Sequence, residues 1–312
     1  MNSKKTFIGI DIGGTNTVIG LIDLKGKILI EKTFTTPSME PFQSFMTKLD
    51  KELTAIFNQS EIFPSGIGVG MPGANFKTGM VDSPENFNWD HINIPQLISK
   101  KYNLPVKIMN DADAAAQGEL SFGIAQDLKN FIHITLGTGL GSSIIVNGKI
   151  ITGHSGIAGE LGHTKIYSSN RMCSCGKRGC LETYVSANGI RRTVFELLST
   201  EQTDSVLREL SFQQLSPKII SDLVLKGDSI AIKTYQYTGR ILGEKLANVI
   251  GLLSPEAIVF SGGLVAAGSS LFDPMKISIE ENLLQMHKNS VEIRFSDPNR
   301  NYAILGAASL LM

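Results

Sequence analysis

Two stretches of this 312-residue chain share one plan, and that repetition limits the folds open to it. Residues 7–29, FIGIDIGGTNTVIGLIDLKGKIL, form an apolar strand, a Gly-rich turn and a second apolar strand that ends in a Lys-Gly-Lys turn. Residues 131–153, FIHITLGTGLGSSIIVNGKIITG, repeat this order, and Asn147-Gly148 is typical of a hairpin turn. Two such hairpins predict a duplicated architecture with a cleft between its halves.

Helical and strand patterns alternate around these hairpins. Residues 42–59 carry apolar side chains at helical spacing, and residues 65–73 form a short apolar strand that ends in a Gly/Pro turn. Residues 105–123 place a short strand before an Ala-rich helix, residues 228–253 are a long helical pattern, and residues 302–312 form a helix of small residues. This alternation predicts an α/β protein.

The charge balance gives no indication of a nucleic-acid or membrane partner. Lysine plus arginine and aspartate plus glutamate each number 29, so the formal net charge is zero, whereas such partners usually require a basic excess or patch. The apolar run near the N-terminus is broken by Asp11, and no stretch approaches the roughly 18 apolar residues of a membrane-spanning helix. Three cysteines cannot all form disulfides, and a secreted fold would more often carry an even, dispersed set. The expected location is the cytoplasm.

Three Gly-rich turns follow apolar strands and could bind phosphate. The first supplies Asp11, Gly13, Gly14, Thr15 and Asn16, the second Gly137, Thr138 and Gly139, and the third Gly262 and Gly263. Glycine lets the backbone approach a ligand, successive N–H groups form an anion site, and threonine hydroxyls add donors. Asp11 could hold a Mg²⁺ that bridges phosphates, directly or through water. Any one turn could merely close a hairpin, but three together favour nucleotide binding, and none matches the Walker or the dinucleotide fingerprint.

All three cysteines lie in one short segment, CSCGKRGC, at residues 173–180. The segment supplies three soft metal ligands, and a natural fourth lies ten positions before the first cysteine; these residues are Cys173, Cys175, Cys180 and His163. Three cysteines and one histidine are a closed tetrahedral set, typical of structural zinc. Two alternatives stay open: reduced cysteines in a surface loop, and a zinc knuckle that binds nucleic acid, which the neutral charge does not favour.

These motifs resemble the ROK (repressor, open reading frame, kinase) family of sugar kinases and related repressors. The matching segments are FIGIDIGGT, NDADAAAQGE, LGTGLG, GIAGELGH, CSCGKRGC followed by LE, and IVFSGG, and they run in family order from residue 7 to residue 263. The resemblance implies a two-domain actin-like ATPase fold of the ribonuclease H-like class, with ATP and sugar in the cleft, and a homodimer or homotetramer. The expected first domain is residues 1–117, and the expected second domain, which contains the zinc loop, is residues 118–298. The last helix, at about residues 299–312, is expected to pack back on the first domain.

Asp111 is the candidate catalytic base. From the residues alone it could accept the proton of a sugar hydroxyl, with Asn110 holding a neighbouring hydroxyl, or it could be the N-cap of the Ala-rich helix. The resemblance implies the first role, because the family motif places the catalytic aspartate here and the preceding asparagine on the sugar. The usual motif reads NDANAAA, whereas this chain has Asp113 in place of the second asparagine, a departure that concerns fine geometry.

Further candidate sugar ligands flank the cysteine segment. Glu160 and His163 lie three apart in GELGH, and Glu182 follows the last cysteine by two residues. Carboxylate oxygens accept hydrogen bonds from adjacent sugar hydroxyls, although both glutamates could equally be solvated charges. The resemblance implies that these three residues bind sugar, that His163 also binds zinc, and that zinc fixes the loop that presents them. The loop around Gly73 and Asn86 is expected to contact substituents of the sugar.

The resemblance implies an ATP- and Mg²⁺-dependent kinase that phosphorylates the 6-hydroxyl of glucose, mannose or an N-acetylhexosamine. Allose, fructose and β-glucosides stay open as substrates, because the inversion of a single hydroxyl can decide which sugar fits. A sugar-responsive repressor of the same family and a sugar-binding protein without turnover are the alternatives. Repressors of this family carry a helix-turn-helix region before the first hairpin, which begins here at about residue 7, and Asp111 is present, so a kinase is expected.

Overall fold

The computed structural model of this chain describes residues 5–60, 63–82, 84, 87–166 and 170–312. Within these residues the strands are β1 (Thr6–Ile12), β2 (Asn16–Asp23), β3 (Ile28–Thr35), β4 (Ile67–Gly70), β5 (Met80–Val81), β6 (Ile92–Asn93), β7 (Val106–Met109), β8 (Phe131–Leu136), β9 (Leu140–Val146), β10 (Lys149–Ile150), β11 (Ala257–Ser261) and β12 (Glu292–Phe295). The helices are α1 (Phe42–Gln59), α2 (Ile94–Tyr102), α3 (Asp111–Phe122), α4 (Glu182–Val185), α5 (Ala187–Thr200), α6 (Pro217–Leu225), α7 (Ser229–Leu253), α8 (Ser269–Asn282) and α9 (Tyr302–Ser309). None of the helices in this part of the chain is both long and apolar enough to cross a membrane.

Two compact units divide the described chain. The first contains the residues up to Lys129 together with Ser143–Gly159 and Asn299–Met312, and the second contains Asn130–Ser142 and Glu160–Pro298. The domain boundary expected after residue 117 falls inside α3, which is an unbroken helix of the first unit.

A five-stranded sheet with the order β3-β2-β1-β4-β7 forms the centre of the first unit. β1 pairs antiparallel with β2 and parallel with β4, and β7 extends the parallel part. Side chains alternate across β1, so that Ile8 and Ile10 share a core with α1 and α2, whereas Phe7 packs against α9. The first predicted hairpin is therefore confirmed, and the parallel strands end at one edge of this sheet.

Helix α9 lies directly against the backbone of the first sheet. A Cβ on Gly9 of β1 would come 1.9 Å from the carbonyl oxygen of Ile304, and a Cβ on Gly68 of β4 would come 1.7 Å from that of Ala307. No side chain fits at such distances, so both strand positions require glycine. This backbone contact holds the last helix in the first unit.

The second five-stranded sheet has the order β10-β9-β8-β11-β12. β11 pairs parallel with both β8 and β12, and β9 pairs antiparallel with β10. Ile132, Ile134 and Leu136 of β8 share a core with α5, α7 and α8, in which Tyr235 and Phe272 are buried. The strand order repeats that of the first sheet, which confirms the duplicated architecture predicted from the two hairpins.

His133 lies on β8 between these core residues and is fully buried. Neither of its ring nitrogens has a hydrogen-bond partner among the described residues. Burial lowers the pKa of His133 from 6.5 to about 4. The imidazole is therefore neutral in the folded protein at neutral pH.

Acidification is expected to destabilise the protein through His133. Between pH 6.5 and about 4 the unfolded chain binds a proton here that the folded chain does not, so the free energy of unfolding falls as the pH falls. The loss approaches about 3 kcal/mol near pH 4. Replacing His133 with Leu should remove this component, measured as the difference in urea unfolding free energy between about pH 7 and about pH 5. The variant His154→Gln, at an exposed position, should lose as much unfolding free energy on acidification as the wild type does. If His133→Leu also loses as much as the wild type over this pH range, the prediction is contradicted.

Candidate active site

Two carboxylates lie where parallel strands of the first sheet end. Asp11 of β1 pairs across the sheet with Gly70 of β4, and Gly70 pairs in turn with Met109, the last residue of β7. Asp111 follows Met109 by two residues and is the first residue of α3. Ligands of α/β proteins bind at the carboxyl ends of parallel strands, so this edge is where a reacting group would lie.

Asp11 is half-buried, and its negative charge is poorly compensated. Burial and the neighbouring charge of Asp111 raise the pKa of Asp11 to about 7, although a hydrogen bond with Asn301 acts in the opposite direction. Asn301 caps α9 with its Oδ1, which accepts the N–H groups of Ala303 (3.0 Å) and Ile304 (3.2 Å). Its amide nitrogen is therefore the group that donates to Asp11. Two neighbouring carboxylates with this excess of negative charge favour a bound cation.

Asn110, and not Asp111, is the N-cap of α3. The Asn110 Oδ1 accepts the Ala112 N–H at 2.9 Å, and the Asp111 Oδ1 accepts the same N–H at 3.0 Å. Burial raises the pKa of Asp111, and the hydrogen bond from Ala112 offsets part of this effect. The alternative in which Asp111 is the helix cap is therefore wrong. Asp111 is a half-buried carboxylate of increased basicity at the edge of the sheet.

Asp113, which replaces the asparagine of the usual family motif, has a partner of its own. Ser143 Oγ donates to Asp113 Oδ1 at 2.6 Å, and both side chains are buried. A carboxylate accepts this hydrogen bond as well as an amide oxygen would. The departure from the motif is thus accommodated on the buried side of α3.

The first Gly-rich turn joins β1 to β2. The Gly13 N–H donates to the Asn16 carbonyl at 3.0 Å, and the Thr36 N–H donates to the Thr15 carbonyl at 2.8 Å. These bonds fix the turn, in which Gly14 is half-buried and the next two residues are exposed. The turn therefore combines a defined backbone with access from solvent, as a phosphate site requires.

The second Gly-rich turn, between β8 and β9, is held by groups from outside the hairpin. The Gly137 N–H donates to the Gly139 carbonyl at 3.0 Å, and the Gly137 carbonyl accepts the first N–H of α5 at 2.9 Å. The Leu140 N–H donates to Glu182 Oε2 at 2.9 Å. Thr138, at the tip of the turn, is exposed.

The third turn follows β11. Packing within the protein requires glycine at the first of its two glycine positions but not at the second. Gly262 has a φ of +90°, and a Cβ there would come 2.3 Å from the carbonyl oxygen of Leu136, so the packing of the turn on β8 requires glycine. A Cβ on Gly263 would meet no atom of the described chain within 4 Å. Gly263 therefore borders free space that a ligand could use, whereas Gly262 is explained without a ligand.

The four residues predicted to bind metal lie together in the second unit. Their ligand atoms are all within 4.8 Å of one another, with Cys173 Sγ 3.6 Å from His163 Nδ1 and Cys175 Sγ 3.7 Å from Cys180 Sγ. Three thiols and one imidazole are the donor set of structural zinc, so these residues fit that ion. Burial raises the pKa of the Cys173 and Cys180 thiols, that of Cys180 to about 12, and a bound metal would favour their thiolate forms.

His163 lies between the cysteine cluster and Glu160. Its Nδ1 is directed at Cys173, and its Nε2 is 4.0 Å from Glu160 Oε2. Glu160 is exposed, and Glu182 Oε1 is 3.9 Å from Cys173 Sγ. The structure therefore gathers the three candidate sugar ligands around the cysteine cluster, with one oxygen of Glu182 bonded to the Leu140 N–H.

The loop after β4 carries the other two candidate sugar contacts. Gly73 has a φ of +71°, and a Cβ there would come 3.0 Å from the carbonyl oxygen of Asp82, so this turn requires glycine for its own conformation. Asn86 lies outside the described residues.

Asn75 and Lys77 join this loop to the turn after β10, and sequence reasoning missed both. The Asn75 amide donates to the Ser155 carbonyl at 2.8 Å. Lys77 Nζ donates to the His154 carbonyl at 2.9 Å and to the Gly153 carbonyl at 2.6 Å. A lysine that binds main-chain carbonyls has no sequence signature, because the same residue type usually marks solvated surface.

Arg171 anchors the start of the cysteine segment, and it too was missed. Its guanidinium forms a bidentate pair with Glu196 of α5 (2.9 and 2.6 Å), donates to the Thr183 carbonyl (2.8 Å) and lies 4.0 Å from the centre of the Tyr184 ring. These contacts tie the chain ahead of Cys173 to α4 and α5. In the sequence, an arginine in a polar segment cannot be distinguished from a surface charge.

The part of the chain that carries these residues, from 7 to 312, matches the model of the ROK family. The chain belongs to the ROK family. Glucokinase from Halalkalibacterium halodurans is similar to it, with 33% identity over 318 residues that cover 99% of this chain and 96% of that protein. The family predicted from the motifs is confirmed.

Two solved ROK structures are similar over nearly the whole chain. A ROK family glucokinase from Streptomyces griseus, in complex with glucose and AMPPNP, has a TM-score of 0.82 and 29% identity over 98% of both chains. A ROK family transcriptional regulator, a homologue of the E. coli Mlc protein, has a TM-score of 0.88 and 29% identity over 99% of this chain and 78% of that one. The two-domain actin-like ATPase fold of the ROK sugar kinases is therefore the fold of this chain, and the predicted fold class is confirmed.

Proposed function

We propose that this ROK family chain is an ATP-dependent hexose kinase that transfers the γ-phosphoryl group to the 6-hydroxyl of a sugar such as glucose, mannose or an N-acetylhexosamine. The observation that carries the proposal is the pair of half-buried carboxylates, Asp11 and Asp111, at the carboxyl edge of parallel strands. The similarity to glucokinases over 96–98% of their length supports it. Phosphoryl transfer requires an aligned hydroxyl, a proton acceptor and charge neutralisation. At this edge Asp111 would accept the proton and Asp11 would hold the cation that neutralises charge.

Asp111 is the proton acceptor in this proposal. Burial raises its pKa, which brings its basicity closer to that needed at neutral pH, and α3 holds its Oδ1 through the Ala112 N–H. Asn110 has its Oδ1 engaged by the same N–H, so its amide nitrogen is the group that would donate to a sugar hydroxyl. The two neighbours would thus accept a proton from one hydroxyl and orient the next.

Asp11 is the proposed ligand of Mg²⁺, directly or through water. Its carboxylate oxygens are the hard donors that this ion prefers, and the charge of Asp111 beside it leaves negative charge for a cation to offset. Bound Mg²⁺ would supply charge neutralisation for the phosphates of ATP. The proposed phosphate-binding turns contain Gly13, Gly14, Thr15 and Asn16 in the first unit, and Gly137, Thr138, Gly139, Gly262 and Gly263 in the second. The Gly13 and Gly137 N–H groups are bonded within their own turns and so shape them, and the other N–H groups and the hydroxyls are the proposed phosphate donors.

The proposed sugar ligands besides Asn110 and Asp111 are Gly73, Asn86, Glu160, His163 and Glu182. Structural zinc, held by His163 and the three cysteines, would fix the segment that presents Glu160 and His163. His163 suits both tasks, because its Nδ1 is directed at the cysteine cluster while its Nε2 is directed at Glu160.

A hexose panel tests the proposal. The full chain with ATP and Mg²⁺ should release ADP only with hexoses that carry a free 6-hydroxyl, and the matched 6-deoxy sugar should bind without turnover. The measurement is coupled ADP release, with the product position assigned by NMR. ADP release that no hexose stimulates, or product phosphorylated elsewhere, would contradict the proposal.

A second candidate function is a sugar-responsive transcriptional regulator, which the TM-score of 0.88 with a ROK regulator favours. A zero net charge argues against it, because DNA binding depends on a basic surface. The same panel separates the two functions. Binding of a hexose with a free 6-hydroxyl at micromolar to millimolar concentration, with no ADP release from any such hexose, would favour the regulator.

A further inference from the structure

Glu182 contacts the main chain of the second Gly-rich turn, a role its position in the sequence does not suggest. It is the first residue of α4 and lies two positions after the last cysteine. Its Oε2 accepts the Leu140 N–H at 2.9 Å, across 42 positions of sequence. A carboxylate that accepts a main-chain N–H forms a charge-assisted hydrogen bond, which is stronger than a neutral one.

Gly139 gives an independent indication of the same contact. A Cβ on Gly139 would come 2.5 Å from Glu182 Oε2 and 3.4 Å from its Cδ, and φ at this residue is not positive. The backbone conformation therefore permits a side chain, and the space is taken by the carboxylate. The middle glycine of LGTGLG is explained by Glu182 without any ligand.

The other side of Glu182 faces the cysteine cluster. Its Oε1 is 3.9 Å from Cys173 Sγ, and the start of α5 also holds the turn, through the bond to the Gly137 carbonyl. The segment that follows the cysteines thus contacts both ends of the turn.

We infer that Glu182 is a positioning residue that holds the turn of residues 137–140 in its nucleotide-binding shape and links this turn to the cysteine cluster. The inference rests on the proposed function, because the turn has a nucleotide to bind only in a kinase. Glu182 would then have two roles: the sugar binding already proposed, and the positioning of the turn that binds ATP. Without the carboxylate, the Leu140 N–H loses its partner and the turn relaxes.

The test is the affinity for AMPPNP with Mg²⁺ in the absence of sugar, measured by titration calorimetry, which separates Kd from the folded fraction. Glu182→Ala should weaken binding about 10- to 100-fold, the loss expected for one charge-assisted hydrogen bond. Glu182→Gln keeps an acceptor oxygen without the charge and should lose only about three- to tenfold. Glu281→Ala, at an exposed position of α8, is the matched control and should bind as the wild type does.

A double-mutant cycle with Gly139→Ala checks the mechanism. The new Cβ should displace the carboxylate and weaken AMPPNP binding, and Gly139→Ala combined with Glu182→Ala should bind no more weakly than Glu182→Ala alone, because the collision is gone. Gly251→Ala, where a Cβ meets nothing within 4 Å, controls for glycine replacement itself. Additive losses in the double variant would mean that the Cβ blocks the nucleotide directly and would overturn the inference.

The remaining outcomes are distinct. Wild-type protein that binds no AMPPNP contradicts the proposed function, whereas wild-type binding that Glu182→Ala leaves unchanged overturns only the inference. Bound zinc is measured in every variant, and a loss of AMPPNP affinity that occurs only with loss of zinc would assign the effect to the cluster and not to Glu182.

Discussion

Replacing Asp111 with Asn is expected to lower kcat by about 10²- to 10⁴-fold, the contribution of a general base. The amide has the shape of the carboxylate but cannot accept the hydroxyl proton. Helix α3 should remain intact, because its N-cap is Asn110. The KM values for hexose and ATP should change by no more than a few fold, since the amide still forms hydrogen bonds. The measurement is steady-state kinetics at saturating Mg²⁺, with thermal unfolding as the check on folding.

Asp113→Asn is the matched control for this experiment. It makes the same chemical change two residues along the same helix, and it restores the asparagine of the usual motif. The Ser143 hydroxyl can donate to the amide oxygen as it does to the carboxylate, so kcat should stay within a few fold of wild type. A kcat for Asp111→Asn within tenfold of wild type would show that another group accepts the proton.

The elements of this chain that could be predicted are those encoded in neighbouring residues. The apolar period of α1 gave its bounds, residues 42–59, because every turn of that helix repeats the same local pattern. The two hairpins were visible because each strand and its Gly-rich turn are contiguous. The clustering of His163 with the three cysteines was also predicted, since ligand chemistry and spacing restrict the partners. Zinc itself stays a prediction.

The contacts that sequence reasoning missed join residues far apart in the chain. The Asn301 side chain forms a hydrogen bond with Asp11, 290 positions away in the sequence. Glu182, the first residue of α4, contacts the Leu140 N–H at the start of β9 only in the folded chain. Arg171 is of the residue type that is usually solvated, so nothing local distinguishes it. Packing also gives Gly262 a structural reason of its own, because its φ of +90° and its contact with β8 require glycine whether or not phosphate binds there.

Loss of the metal from the cysteine cluster is expected to have the second large effect. In Cys175→Ser the exposed thiol becomes a hydroxyl of similar size, so the main change is the loss of one proposed zinc ligand. We expect bound zinc to disappear and the free energy of unfolding to fall by roughly 4 kcal/mol, the scale of losing a structural metal. The protein should still fold, because the Ile166 N–H to Gly179 carbonyl and Leu181 N–H to Thr164 carbonyl bonds join the two segments without the ion.

The same change should raise the KM for the hexose by about tenfold or more, because His163 and Glu160 would lose the fixed placement that binding requires. Wild-type protein stripped of zinc by a chelator should show the same KM and unfolding free energy as Cys175→Ser, and the chelator should have no further effect on that variant. These comparisons separate the effect of losing the ion from the effect of replacing the side chain, because the chelator-treated wild type lacks the ion but keeps Cys175. Wild-type protein that is verified to be free of metal and yet keeps its stability and hexose KM would contradict a structural role for zinc. In that case Arg171, Glu182 and the main-chain bonds would be sufficient to hold the cysteine segment.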